Sequence, residues 1–301
     1  MYDIIVIGAG PAGISAAVYA VSRGCRTLVL EQKEVGGIIG TVSSVTHYSG
    51  IIQQETGRTF AGRLKEQALG AGVEIVYEAV KGVKLAGNQK EAYTDGGVYQ
   101  GRKIILANGS TPRALGIPGE TEFIGKGIGR NAAEDGPLFR GRPIFVIGGA
   151  DGAVKEALYL AQFASELTII HFENALGCIA EFRERVEQAS NIKVRTGMRL
   201  KSVSGTNQAE VLELAGETDG SVERIEAPGC GIFIYAGSTP NTQFYSELSL
   251  DHGYIPVDSN METEIPGVYA AGDIRVKQVR QVATAVSDGA IAGIHAAAHC
   301  L

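Results

Sequence analysis

One supersecondary pattern occurs twice in the chain. Tyr2–Glu31 reads YDIIVIGAGPAGISAAVYAVSRGCRTLVLE, and Arg142–His171 reads RPIFVIGGADGAVKEALYLAQFASELTIIH. Each opens with a short apolar run, breaks at a glycine-rich turn, continues with apolar residues at helical spacing and ends in a second apolar run. Superposed, Gly8 falls on Gly148, Gly13 on Ala153 and Glu31 on His171. Strand, crossover helix and parallel strand connect in one hand only, so each segment predicts a right-handed βαβ unit. Two such units predict an α/β chain with two doubly wound domains. A length of 301 residues suits two separate cores.

Breakers place the boundaries. Gly109-Ser110-Thr111-Pro112 follows the apolar run Lys103–Ala107 and opens a loop-rich stretch reaching Pro118-Gly119. Gly237-Ser238-Thr239-Pro240-Asn241 follows the apolar run Gly231–Ala236. The reading is a second domain at 112–241 inserted into a discontinuous first domain, 1–111 with 242–301. Two crossings between domains allow a hinge. Val80–Gln100 and Arg199–Arg224 alternate poorly and are rich in turn formers, as small antiparallel meanders are.

Composition removes several classes. Hydrophobic residues at 45% and charged residues at 20% describe a soluble globular chain. The 41 glycines have no period, which excludes a collagen-like chain. A formal net charge of -6 gives no electrostatic case for nucleic acid or an anionic membrane. No apolar run reaches the length of about eighteen residues that a membrane span requires. The N-terminus lacks a basic leader and a small-residue cleavage site, so a cytoplasmic location is expected. Cys25, Cys178, Cys230 and Cys300 include no C-x-x-C pair; the closest two, Cys178 and Cys230, are 52 positions apart. Packing accounts for Cys25 and Cys230, and Cys300 has no neighbouring thiol. His295 and His299 share a helix face, but no third residue completes a metal site, and none is expected.

Gly8-Ala9-Gly10-Pro11-Ala12-Gly13 follows a strand directly and opens a helix. The first glycine makes the tight turn, the second lets backbone approach a pyrophosphate, and the third lets helix and strand pack. Free N–H groups at the helix start then favour phosphate, and Pro11 fits there because its missing N–H is not needed. Glu31, at the end of the second strand, can accept hydrogen bonds from a ribose diol. Far along the chain, Glu264-Ile265-Pro266-Gly267-Val268-Tyr269-Ala270-Ala271-Gly272-Asp273 is similar to the second FAD fingerprint of two-dinucleotide flavoproteins. In that family the Asp accepts hydrogen bonds from the ribityl chain; as a bare sequence feature, Asp273 is also a good helix cap.

The whole chain, from Met1 to about His299, resembles the low-molecular-weight thioredoxin reductases, with FAD/NAD(P)-binding Rossmann-like domains. Arg280-Gln281-Val282 follows Gly272-Asp273 at the spacing where that family places an Arg-Gln-Ala-like triplet beside the flavin ring. Val35-Gly36-Gly37 and Thr46-His47-Tyr48-Ser49-Gly50 resemble its flavin-contacting loops, although the usual forms have Gln at Ile38, Asn at His47 and Pro at Ser49. The resemblance implies FAD as cofactor, with Arg280 and Gln281 tuning it, and a homodimer.

The chain departs from the family at both redox ends. Asn131-Ala132-Ala133-Glu134-Asp135-Gly136 stands where the family has C-x-x-C-D-G, so Asn131 and Glu134 replace the two cysteines. Neither can exchange a disulfide, which requires a thiolate attacking sulfur. Glu134, Asp135 and His47 remain candidate proton donors near the flavin. In the second turn, Ala150 replaces the closely approached glycine. His171-Phe172-Glu173 replaces the His-Arg-Arg that grips the NADPH 2′-phosphate, so two guanidiniums are missing and a carboxylate is added. NADPH is therefore not expected, while NADH stays open if Glu173 reaches the ribose. Three functions follow. The first is an FAD oxidoreductase passing electrons to or from a ferredoxin- or flavodoxin-like protein or a small redox molecule. The second is an NADH-dependent flavin or ferredoxin reductase, and the third is a flavin-binding sensor or scaffold with little turnover.

Overall fold

The computed structural model describes residues 1–298; His299 and Cys300, singled out above, lie outside the described residues. The α-helices described are α1 (Pro11–Val21), α2 (Gly57–Gly70), α3 (Ala132–Asp135), α4 (Asp151–Leu160), α5 (Ala180–Gln188) and α6 (Val282–Ala297). The chain divides into two compact units. One joins Met1–Thr111 to the segment from Thr239 onward, and the other is Pro112–Ser238. The return crossing thus falls three residues before the boundary read from the breaker.

In the discontinuous unit, one sheet runs in the order Glu74–Tyr77, Thr27–Glu31, Tyr2–Ile7, Val98–Leu106, Lys90–Tyr93, Gly82–Lys84, with Val268–Ala270 also on Val98–Leu106. Tyr2–Ile7 pairs parallel with Thr27–Glu31 and with Val98–Leu106. Strands read as continuous apolar runs because both sheet faces are covered, and Ile4, Ile5, Val6, Leu28, Val29, Ile104 and Ile105 have no exposed surface. The meander expected over Val80–Gln100 is present but is not a separate layer. Val98–Leu106 pairs antiparallel with Lys90–Tyr93 through its first half and parallel with Val268–Ala270 through Ile104–Leu106. The apolar run Lys103–Ala107 is thus the second half of a longer strand.

α1 and α6 approach at backbone distance. A Cβ on Gly289 would overlap the Ala12 carbonyl, and one on Gly293 would overlap the Ala16 carbonyl. These glycines are four apart on one face of α6 and meet Ala12 and Ala16, four apart on α1. Ser15 Oγ adds a hydrogen bond to the Val286 carbonyl at 2.8 Å.

The inserted unit carries a five-stranded parallel sheet in the order Ile192–Arg195, Leu167–Ile170, Ile144–Ile147, Gly231–Ile234, Ile128–Gly129. The second expected meander is here a separate antiparallel sheet of Met198–Ser204, Val211–Gly216 and Val222–Glu226. Among the described residues no helix is long and apolar enough to cross a membrane.

Two glycine substitutions have opposite expected outcomes. Gly289→Ala forces the α1–α6 backbones apart and costs about 1–3 kcal/mol. Gly62→Ala, on an open face of α2 with nothing within 4 Å of its Cβ, stabilises by about 0.5–1 kcal/mol. Thermal unfolding of the cofactor-free protein checks both signs.

Candidate functional site

Strand order reverses beside Tyr2–Ile7, with Thr27–Glu31 on one side and Val98–Leu106 on the other, and a doubly wound sheet binds its ligand at that crevice. Gly8, at φ +98°, turns the chain there; its Cβ would stand 2.6 Å from the Ala107 carbonyl oxygen. A Cβ on Gly13 would run into the Gly8 carbonyl. These two glycines serve packing. Gly10 differs: it caps α1 in extended conformation (φ -71°, ψ -178°), and its nearest neighbour to a Cβ is the Gly36 oxygen at 3.9 Å. What Gly10 provides is open space over a helix start, with Pro11 as first helical residue.

The loop after Glu31 closes the other side. Gly36 N donates to the Ala9 carbonyl at 2.9 Å, and a Cβ on Gly37 would lie 3.5 Å from Gly10 Cα. Gly10 and Gly37 therefore face each other across a cradle that side chains would fill. The Glu31 carboxylate, 7% exposed, shapes the turn directly. Its Oε2 accepts from Ala9 N at 2.8 Å and its Oε1 from Lys33 N at 2.9 Å. Each oxygen keeps a further lone pair for a ribose hydroxyl.

The tail brings in the second set of residues. Ala271 N donates to the Leu106 carbonyl at 3.0 Å, so the turn after Val268–Ala270 lies beside the turn after Tyr2–Ile7. Gly272, at φ +81°, presses on α1: a Cβ would lie 2.9 Å from Ala12 Cβ. Asp273 follows, and its Oδ1 is buried without a hydrogen-bond partner. Burial pushes this carboxyl above the ordinary range, Lys277 and then Arg280 pull it down, and Asp288 pushes it up again. Arg280 Nε is also buried without a partner, while its guanidinium lies 4.2 Å from the centre of the Tyr254 ring. A buried unmet donor or acceptor costs about 1–3 kcal/mol, so this loop holds one unmet acceptor and one unmet donor beside an open cradle. Those are the complements of ribityl hydroxyls and a flavin ring edge, and the residues present fit FAD.

Gly8, Gly10, Pro11, Ala12, Gly13, Glu31, Gly36, Gly37, Gly272 and Asp273 thus converge. Gln281 and Val282 start α6, where Gln281 N donates to Thr284 Oγ1 at 3.1 Å. His47 is on an exposed loop, its Nδ1 2.9 Å from the neighbouring Thr46 hydroxyl. Sequence reasoning missed Asp288. This carboxylate on α6 accepts from Gly272 N at 3.1 Å, Arg275 Nε at 2.8 Å, Arg275 Nη2 at 2.6 Å and Lys277 Nζ at 2.8 Å. Those bonds and charges hold it below the usual carboxylate range although burial opposes them. The available signal is the single acid in α6, shortly after Arg275, Lys277 and Arg280.

In the inserted unit the corresponding turn is built differently. Ala150 caps α4 with the backbone of Gly10 (φ -83°, ψ 173°), so its methyl occupies the space left open in the other turn. His171, 6% exposed, replaces Glu31, and Gly149 replaces Ala9; a Cβ on Gly149 would lie 2.5 Å from His171 Cγ. Imidazole is bulkier than carboxylate here, and the turn residue is correspondingly smaller. His171 Nε2 is 3.2 Å from Glu173 Oε2, and Nδ1 is buried without a partner. The Arg199 guanidinium lies 4.3 Å from the Phe172 ring centre.

Asn131 and Asp135 both serve the short helix α3. Asn131 Oδ1 accepts from Ala133 N at 2.8 Å, and Asp135 Oδ2 accepts from Arg130 N at 2.7 Å and Asn131 N at 3.1 Å. Glu134 is exposed. Cys25, Cys178 and Cys230 are buried. Burial raises the Cys178 thiol and pushes Cys230 up to about 11.

The family model for pyridine nucleotide-disulphide oxidoreductases matches residues 2–289. The chain is 37% identical to the thioredoxin reductase of Peptoclostridium acidaminophilum over 98% of this chain and 96% of that one. It superposes on the crystal structure of Lactococcus lactis thioredoxin reductase with a TM-score of 0.94 at 35% identity, covering 98% of each chain. The ferredoxin-flavin thioredoxin reductase of Clostridium acetobutylicum matches at TM-score 0.53 and 27% identity, over 98% of this chain and 96% of that one.

The roles of the first turn's glycines separate by substitution. Gly10→Ala is expected to change cofactor-free stability by no more than about 0.5 kcal/mol, yet to weaken FAD uptake at least about tenfold. Gly13→Ala lowers stability itself. Flavin titration beside thermal unfolding distinguishes the two effects.

Proposed function

The chain belongs to the pyridine nucleotide-disulphide oxidoreductases, within the low-molecular-weight thioredoxin reductase group, and we propose that it is an FAD oxidoreductase working without an active-site disulfide and without NADPH. In this reading it passes electrons between flavin and a ferredoxin- or flavodoxin-like protein, or a small redox molecule. The observation that carries the proposal is the treatment of the disulfide position. The sequence contains no C-x-x-C, and at the matching register Asn131 caps a helix while Glu134 is exposed. Without a thiolate there, that position has no group able to carry out thiol–disulfide exchange.

Bound FAD supplies the electron storage and transfer chemistry. The chain's part is to hold and orient it: Gly10, Gly37 and the α1 start at the pyrophosphate, Glu31 at a ribose, Asp273 at the ribityl chain, and Arg280 at the ring. His47, Glu134 and Asp135 remain candidate proton donors; two of the three are exposed, and Asp135 already accepts two backbone hydrogen bonds. The case against NADPH rests on Phe172 and Glu173 in the place of two arginines, and on the Ala150 methyl over the turn. A protein redox partner draws support from the name of one relative, a ferredoxin-flavin thioredoxin reductase. A homodimer in the cytoplasm is proposed from the family alone.

A second reading, an NADH-dependent reductase, is favoured by one feature. The Glu173 carboxylate is 58% exposed and held near His171, so it could accept from a ribose diol that carries no 2′-phosphate. Anaerobic mixing of the FAD-loaded protein with donors tests both readings. The expected result is that NADPH leaves the flavin band intact while reduced ferredoxin or dithionite bleaches it and an added acceptor restores it. Bleaching by NADH establishes the second reading, and sustained thioredoxin reduction by NADPH overturns the first. A reduced flavin that no acceptor reoxidises would make the protein a flavin binder with little turnover.

A further inference from the structure

Lys277 Nζ and Gly272 N donate to the same oxygen, Asp288 Oδ2, at 2.8 and 3.1 Å, which sets a buried cation beside the residue that precedes Asp273. The side chains of Lys277 and Asp288 are each 5% exposed, and Lys277 Nζ donates to Asp288 Oδ2 at 2.8 Å. Arg275 donates to the same carboxylate from Nε and Nη2. One carboxylate therefore faces two cations, which leaves one positive charge uncompensated beside Asp273, whose Oδ1 has no partner.

The surrounding elements offer little other charge. α1 contains no Asp, Glu, Lys, Arg or His, and neither do Ile104–Leu106, Val268–Ala270 or the Tyr254–Val257 segment that bridges to Arg275 through Ile255. α6 contributes Asp288 and, in its last turn, His295. The loop between them contributes Arg275, Lys277 and Arg280. Of the groups acting on Asp273, Lys277 is the strongest that favours its charged form and Asp288 is the one that opposes it.

We infer that Lys277 is a positioning residue for the cofactor: it keeps the Asp273 carboxylate charged in a site that excludes water, so that the carboxylate accepts from ribityl hydroxyls. This inference rests on the FAD reading above. A protonated Asp273 would present a donor in place of one acceptor and lose the charge-assisted bonds. The sign follows from linkage. FAD binds the ionised form better, so affinity is level above the Asp273 pKa of the cofactor-free protein and falls about tenfold per pH unit below it. Removing the Lys277 charge raises that pKa and moves the falling limb to higher pH. Removing the Asp288 charge lowers it and moves the limb to lower pH. A purely structural role for the pair would instead weaken binding in both variants at every pH.

The experiment strips FAD from the full-length protein and titrates it back by flavin fluorescence from about pH 5 to pH 9. Wild type, Lys277→Met, Lys277→Arg and Asp288→Asn are compared. The expected result is that Lys277→Met binds about tenfold more weakly at the acid end and approaches wild type at the alkaline end. Lys277→Arg follows wild type, and the Asp288→Asn limb shifts the opposite way. A Lys277→Met curve superimposed on wild type, or displaced equally at all pH values, overturns the inference, as does an Asp288→Asn shift in the same direction. Should Asp288→Asn not fold, the Lys277→Met and Lys277→Arg pair decides alone. Wild-type protein that takes up no FAD at any pH would defeat the FAD reading instead.

Discussion

The contact between α1 and α6 is made by backbone, and the site depends on it. Gly289 and Gly293 let α6 lie directly on the carbonyls of Ala12 and Ala16. That closeness sets where everything else from the tail can go. Asp288 immediately precedes Gly289 and so reaches Gly272 N, and Gly272 in turn rests on Ala12. The start of α1 follows the first glycine turn, and the face one turn further along receives the tail. A side chain at either α6 glycine would move Asp273 away from the turn it completes.

The two βαβ units show how one pattern supports different fits. Both turn on a glycine that a Cβ could not replace, Gly8 against Ala107 and Gly148 against Tyr235. Beyond that point they diverge in matched pairs. Ala9 with Glu31 gives an N–H to carboxylate bond, whereas Gly149 with His171 gives an imidazole seated against bare backbone. Each pair is self-consistent in volume, and exchanging one member alone would leave a clash or a gap. The Ala150 methyl then takes up the room that Gly10 leaves free. The second turn is thus packed differently from the first, with a side chain where the first has bare backbone.

Much of this was legible from residue order. The apolar runs around Gly8 and Gly148, the acid at the end of the second strand and the breakers at Gly109 and Gly237 carry the two parallel sheets, because their signals are local. The meander at Val80–Gln100 was legible as antiparallel, but its union with the parallel sheet through Val98–Leu106 was not. A strand that changes partner halfway leaves no mark on its own periodicity. Asp288 was missed for a related reason: its partners Gly272, Arg275 and Lys277 are adjacent to it only once α6 has folded back. Residue order marks Glu31 as a candidate ribose acceptor, and the structure shows its oxygens fixing the backbone at Ala9 and Lys33.

The discontinuous layout has a consequence for the order in which the molecule is made. Translation delivers α1 and the first glycine turn early, then the whole of Pro112–Ser238, and only afterwards Asp273 and α6. A nascent chain that has reached Thr111 holds half of a nucleotide cradle with an exposed small-residue groove along Ala12 and Ala16. The intervening unit contains all strands of its own sheets, while its host waits for the returning segment. The order of synthesis therefore leaves the space between Gly10 and Gly37 without Asp273 until the segment leading into α6 has emerged.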